Sequence, residues 1–166
     1  MTFAALAQGD SVFVDANIFV YHFAPDPVLQ VPCGQFLQQV ENQELQGYTS
    51  THVVAEAAHR LLTIEARIRF GWKSGKVVRR LKQNPIHLQS LTGFRTAIER
   101  VVQSRIRVLP ASPALLVTAA GLCQQPGLLI TDALTVALMQ ADGLTKIASD
   151  DADFDRVPGL TRYAPA

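Results

Sequence analysis

The apolar positions of this chain fall into short continuous runs and longer stripes at helical spacing, and the two kinds alternate. The run Val12-Phe13-Val14 is β-branched and aromatic, too short for a helix, and apolar at every position. That pattern predicts a strand buried on both faces, over 12–15. A helix is expected over 17–23, with Asn17 as its N-cap and Pro25 and Pro27 as its stop. Phe36, Leu37 and Val40 carry a helix over 31–42, and residues 47–51 read as a second strand. Val53, Ala57, Leu61, Ile64 and Ile68 mark the inward stripe of a long helix over 52–70, broken by Gly71 and Gly75. A basic helix over 75–83 ends at Asn84-Pro85. Another spans 92–105, with Phe94, Ala97, Ile98, Val101 and Val102 inward. A third strand covers 105–109. Ser112-Pro113 starts a helix that runs to about residue 125 and stops at Pro126-Gly127. Asp132 is placed to cap a helix over 133–141. A fourth strand covers 146–149, and a last short one 161–163. Residues 1–10 read as a weak leader.

This alternation predicts an α/β protein: three layers, α/β/α, around a mainly parallel sheet of four or five strands. At 166 residues the chain is the size of one domain, taken as 1–166. With 48% hydrophobic and 17% charged residues it has the material for a core. No apolar run approaches the ~20 residues of a membrane span, and no secretory signal pattern opens the chain, so a cytoplasmic protein without membrane attachment is expected. Cys33 and Cys123 lie too far apart in sequence for a metal motif and read as inert core thiols. The four histidines show no ligand spacing and read as surface or satisfied groups.

Charge changes the picture more. The net charge is +1, but it is unevenly laid out. No Asp or Glu occurs between Ala66 and Ile98, a stretch that holds Arg67, Arg69, Lys73, Lys76, Arg79, Arg80, Lys82 and Arg95. Between Asp132 and Asp155 six aspartates face Lys146 alone. A basic flank beside an acidic centre suits an enzyme that holds cations and acts on a polyanion.

Four acids fall at element boundaries. Asp15 ends the first strand, Glu56 lies one turn into the helix after the second, Asp132 opens a helix, and Asp151 follows the fourth strand. Parallel strands point their C-terminal ends to one edge, where open α/β sheets bind ligands. Capping and surface exposure explain any one of Glu56, Asp132 or Asp151 equally well. Asp15 differs, because a carboxylate at the end of a buried strand is costly unless paired or liganded. Gathered carboxylates repel one another until a hard cation sits among them, and an all-oxygen set suits Mg²⁺ or Mn²⁺ rather than zinc.

These residues also carry a family resemblance. Val12-Phe13-Val14-Asp15-Ala16-Asn17, then Ser50-Thr51-His52-Val53-Val54-Ala55-Glu56, then Leu129-Ile130-Thr131-Asp132, then Ser149-Asp150-Asp151-Ala152-Asp153-Phe154 resemble, in order, the four motifs of PIN-domain ribonucleases. The resemblance implies a Mg²⁺- or Mn²⁺-dependent endoribonuclease that hydrolyses phosphodiester bonds by metal-activated water. Many bacterial members are VapC-type toxins held by a small antitoxin, and many are homodimers. Carried over, Asp15, Glu56, Asp132 and Asp151 are the catalytic and metal-binding acids. Asn17, Ser149 and Asp153 support them. RNA, with tRNA and rRNA as candidates, would meet Arg67, Arg69, Lys73, Lys76, Arg79, Arg80 and Lys82, with Phe70 and Trp72 interleaved. The alternative is a non-catalytic PIN-fold module that binds nucleic acid or serves as a scaffold. An aspartate-nucleophile phosphatase fits less well, since Asn17 stands where that family needs a second Asp. No glycine-rich turn follows the first strand, which argues against a dinucleotide site.

Overall fold

The computed structural model describes residues 1–124 and 127–166. In order along the chain, β1 is Ser11–Val14, α1 Ala16–Phe23, α2 Gln30–Glu41, β2 Gln46–Ser50 and α3 Thr51–Phe70. Then come α4 Val77–Gln83, α5 Pro85–Gln89, α6 Gly93–Gln103, β3 Arg107–Leu109, α7 Pro113–Gln124, α8 Ile130–Ala141, β4 Lys146–Ala148 and β5 Thr161–Tyr163. The strands form one parallel sheet, ordered β3-β2-β1-β4-β5, with helices on its faces. The architecture is the expected three-layer α/β/α fold. The stop expected for the helix from residue 112, at residues 125 and 126, lies outside the described residues.

β1 is central because its sequence permits nothing else. Val12, Phe13 and Val14 are fully buried, paired with β2 on one side and β4 on the other. Gly47 lets α2 come down on β2, since a Cβ there would lie 2.5 Å from Val40 Cγ1. Gly71 ends α3 in the left-handed region, at φ 63°, where a side chain would be strained.

Several expectations need correction. The N-cap of α1 is Asp15, whose side chain accepts from the Ala16 amide, and Asn17 is buried within the first turn. The N-cap of α8 is Leu129, so Asp132 lies inside the first turn rather than at the cap. Ile68 and Val102 are 64% and 59% exposed and leave the buried stripes assigned to them. In α3 the packing passes instead to Ala66, which sits in a small second cluster with Val77, Leu81 and Leu91, apart from the main core. The basic helix α4 does end at Gln83, with Asn84 as its C-cap, as expected. Pro85 is the first residue of α5, where its missing N–H costs nothing. Residues 1–10 are tied down, with Phe3 stacked on Phe36 and Thr2 bridged to Ala164.

One long-range contact holds α6 to α3. Thr92, the N-cap of α6, makes no side-chain cap bond. The Glu65 carboxylate does this from a distance, accepting from the amides of Thr92 (3.0 Å), Gly93 (3.1 Å) and Phe94 (3.2 Å). Those amides have no partner within their own helix. Glu65→Ala is therefore expected to cost roughly 1–2 kcal/mol, a cap's worth, and Glu65→Gln less. Urea melts of the three proteins check this, and equal midpoints would remove the capping role.

Candidate active site

The C-terminal ends of β1, β2 and β4 lie on one edge of the sheet, and the four acids are delivered there. Asp15 follows β1 directly. Its Oδ1 accepts from the Ala16 amide (2.7 Å), and its Oδ2 accepts from Asn17 Nδ2 (2.6 Å) and the Ser149 hydroxyl (2.7 Å). Asn17 Nδ2 also donates to Ser149 Oγ (3.0 Å), and Asn17 Oδ1 accepts from the Asp150 amide (3.2 Å). Ser149 Oγ in turn accepts from the Asp151 amide (3.0 Å). Three buried or half-buried groups from β1–α1 and the end of β4 thus form one closed web.

Asp151 caps the 3-10 turn Ala152–Arg156, accepting from the Asp153 amide (2.9 Å). Asp153 itself pairs with Arg156 (2.7 Å). Glu56 faces Arg60 one turn along α3, at 3.8 Å, both side chains 40% exposed. Asp132, half-buried in the first turn of α8, has no cationic partner among the described residues.

The electrostatics join these acids. Burial pushes the Asp132 carboxyl up to about 6, helped by the charges of Asp15, Asp151, Glu56 and Asp153. Burial likewise pushes Asp15 up to about 6, against the opposing bonds from Ser149 and Ala16, with Glu56 raising it and Arg60 lowering it. Two raised carboxyls, both pushed up by Glu56 and one of them also by the other, make an anionic cleft short of positive charge. The donors are all oxygen, and that set fits a hard divalent cation such as Mg²⁺ or Mn²⁺. Among the described residues no three Asp, Glu, His or Cys side chains are drawn into a closed ligand set, so the acids act on one another at longer range.

The basic residues run from the end of α3 into α4. Arg67 and Arg69 are on the last turn of α3, Lys73 and Lys76 on the connection to α4, and Arg79, Arg80 and Lys82 on α4. Arg69 donates to the Ser90 carbonyl, and Arg80 stands 5.3 Å over the Trp72 ring. Sequence reasoning missed three residues around the site. Arg60 is in register with Glu56 at i,i+4, a signal that was there to be read. Tyr21 donates to Asp150 (2.9 Å). Arg162, on β5, donates to the Ser149 carbonyl (3.2 Å) and to both oxygens of Asp155 (2.9 Å each). The last two depend on tertiary contacts. His52 is satisfied as expected, 2.8 Å from Ser50 Oγ and 3.0 Å from Thr135 Oγ1, and burial lowers its pKa.

A family model described as "PIN domain" matches residues 12–160. No curated protein matches the chain. Among solved structures, it is similar to VapC20 of Mycobacterium tuberculosis, described as a sarcin–ricin loop cleaving toxin, with TM-score 0.61 and 16% identity over 87% of this chain and 92% of that one. It is also similar to VapBC2 of Rickettsia felis bound to a promoter DNA fragment, with TM-score 0.57 and 16% identity over 93% and 98%. A toxin–antitoxin complex from Klebsiella pneumoniae gives 0.54 and 18% over 90% and 95%. At these identities the structural likeness speaks for the fold.

Proposed function

The chain belongs to the PIN domain family, whose model spans residues 12–160, and from that premise we propose a Mg²⁺- or Mn²⁺-dependent endoribonuclease, the toxin of a toxin–antitoxin pair. In this reading all 166 residues act as one cytoplasmic domain that forms homodimers and is held inactive by a small antitoxin. The observation that supports it is the pair of buried, raised carboxyls: Asp132 is pushed up further by the charges of Asp15, Asp151, Glu56 and Asp153, and Asp15 by that of Glu56.

Asp15 and Asp132 would hold the cation, with Glu56 and Asp151 completing the site through intervening water. The bound ion supplies positive charge against the scissile phosphate and lowers the pKa of the attacking water. Asn17 and Ser149 fix the Asp15 carboxylate, so its free edge is presented in one orientation. Asp153 steadies Asp151 through its amide. The Arg60 guanidinium, held beside Glu56, would offer a cation to the developing phosphate charge. The segment from Arg67 to Lys82 binds the RNA backbone, which makes binding weaken steeply with salt.

The direct test is cleavage of tRNA and of rRNA stem-loops by the partner-free protein. Cutting at a few positions with Mn²⁺ or Mg²⁺, stopped by EDTA, is the expected result. Equal cutting with and without EDTA would defeat the metal-dependent reading. A non-catalytic PIN module is the second reading, and on its side stands the absence of a closed ligand set among the described residues. It predicts that Mn²⁺ leaves the melting temperature unchanged.

A further inference from the structure

Between α1 and α3, beside the acidic centre, lies a cavity of about 620 Å³. That volume is within the ~300–1,000 Å³ typical of small-ligand sites. Its walls are mixed in a particular way. Tyr21 and Trp72 are aromatic, Arg60 and Arg67 are cationic, and Ile64 and Ile68 are aliphatic. Two of these side chains are shared with the acidic centre. Arg60 pairs with Glu56 (3.8 Å), and the Tyr21 hydroxyl donates to Asp150 (2.9 Å). The cavity is therefore one side chain away from the carboxylates.

We propose that this cavity takes one ribonucleotide of the substrate RNA, next to the phosphate that is cut. The proposal rests on the reading of the acidic centre as RNA-cleaving and adds where a neighbouring nucleotide goes. Its phosphate lies toward Arg60 and Arg67, the two cations that line the cavity among the described residues. Its base covers the aromatic and aliphatic walls. This accounts for Ile68, which the helical stripe assigns to the core but which stands 64% exposed on the cavity wall. Asp26 also lines the cavity, with Oδ1 occupied by the amides of Val28 (3.0 Å) and Leu29 (2.7 Å). Its charge turns the phosphate to the arginine side and leaves its other oxygen for a base amino group or a ribose hydroxyl. An unstacked base between aromatic and aliphatic surfaces, with an arginine on its phosphate, is how single-stranded RNA is held.

The chain has one tryptophan, Trp72, so the cavity wall carries its own reporter. The four ribonucleoside 5′-monophosphates are titrated against the intact protein while Trp72 fluorescence is followed, with ribose 5-phosphate as the base-free probe. At least one nucleotide is expected to quench saturably, and ribose 5-phosphate much less. Arg67→Ala, on an exposed position, should weaken that binding about tenfold, the scale of a charge-assisted hydrogen bond. Arg95→Ala, which removes an equal charge outside the cavity, should leave it unchanged. In RNA cleavage Arg67→Ala should raise KM about tenfold and leave kcat within about twofold. No saturable quenching by any nucleotide overturns the proposal, and so does equal quenching by ribose 5-phosphate, which would make this an anion site. Unchanged binding in Arg67→Ala also overturns it. Cleavage without quenching sinks the cavity alone. Quenching in a protein that cuts no RNA sinks the nuclease reading and leaves the cavity a nucleotide site.

Discussion

Asp132→Asn is expected to reduce RNA cleavage by about 10²–10³-fold and, at the same time, to raise the melting temperature of the cation-free protein at about pH 7.5. The two effects have one cause. The folded carboxyl titrates near 6, above its ordinary 3.8, because burial and the charges of Asp15, Asp151, Glu56 and Asp153 oppose ionisation. An acid whose folded pKa is raised destabilises the fold when charged. The cation-free wild type should therefore gain stability as pH falls from about 7 through 6 toward 4, and gain no more from this group below that. Asn carries no charge at any pH, so the variant should lack this part of the slope while Asp15 keeps its own. Mn²⁺ should raise the wild-type melting temperature at about pH 7.5 and do little for the variant. Differential scanning fluorimetry across pH, in EDTA and in Mn²⁺, reads all of this. A variant that melts below wild type at neutral pH in EDTA would contradict the electrostatic account. A variant that still cleaves would remove Asp132 from the site.

Asn17→Ala should lower both stability and activity, in contrast. Asn17 is 6% exposed and serves three partners: Asp15 Oδ2, Ser149 Oγ and the Asp150 amide. Its loss leaves buried polar groups without partners, at roughly 1–3 kcal/mol. For a chain of this size that is a fall in melting temperature of roughly 3–10 °C. Asp15 also loses the contact that fixes its orientation, so cleavage should fall by about 10–100-fold, the usual cost of removing a group that orients a ligand. The paired measurement is melting temperature and kcat for Asn17→Ala beside wild type. Lower stability with unchanged kcat would make Asn17 a structural residue only.

The sequence shows the central strands well because strands buried on both faces are short, continuous apolar runs bounded by polar residues. Val12-Phe13-Val14 and Ile147-Ala148 announce themselves, and the chain position of an acid just after each is equally plain. The convergence of these acids follows from parallel strands, so it too is legible. What periodicity misses is decided by neighbours. Ile68 and Val102 fit a helical stripe yet point to solvent, because the surface they would cover is not supplied by another element. Asn17 looks like a cap, but Asp15 reaches its own helix first, and Asn17 is drawn inward by Ser149, distant in sequence. Glu65, Arg162 and Tyr21 act through partners that no local window contains.

The small cluster of Ala66, Val77, Leu81 and Leu91 sits apart from the main core, and Trp72 packs against it. Asp15, by contrast, follows directly on β1, the strand paired on both sides at the centre of the sheet. Of the residues that line the cavity, Trp72 packs on this small cluster, while Val20, Tyr21, Ala24 and Ile64 belong to or pack on the main core around β1. Opening α4 and α5 breaks that small cluster and the contacts of Arg80 and His87 with Trp72 and Phe70 but spares the main core, so it draws on less free energy than global unfolding. Their amides should exchange with solvent long before those of β1. A local opening of α4 and α5 would therefore loosen the packing of Trp72 and leave the hydrogen-bonded web around Asp15 untouched.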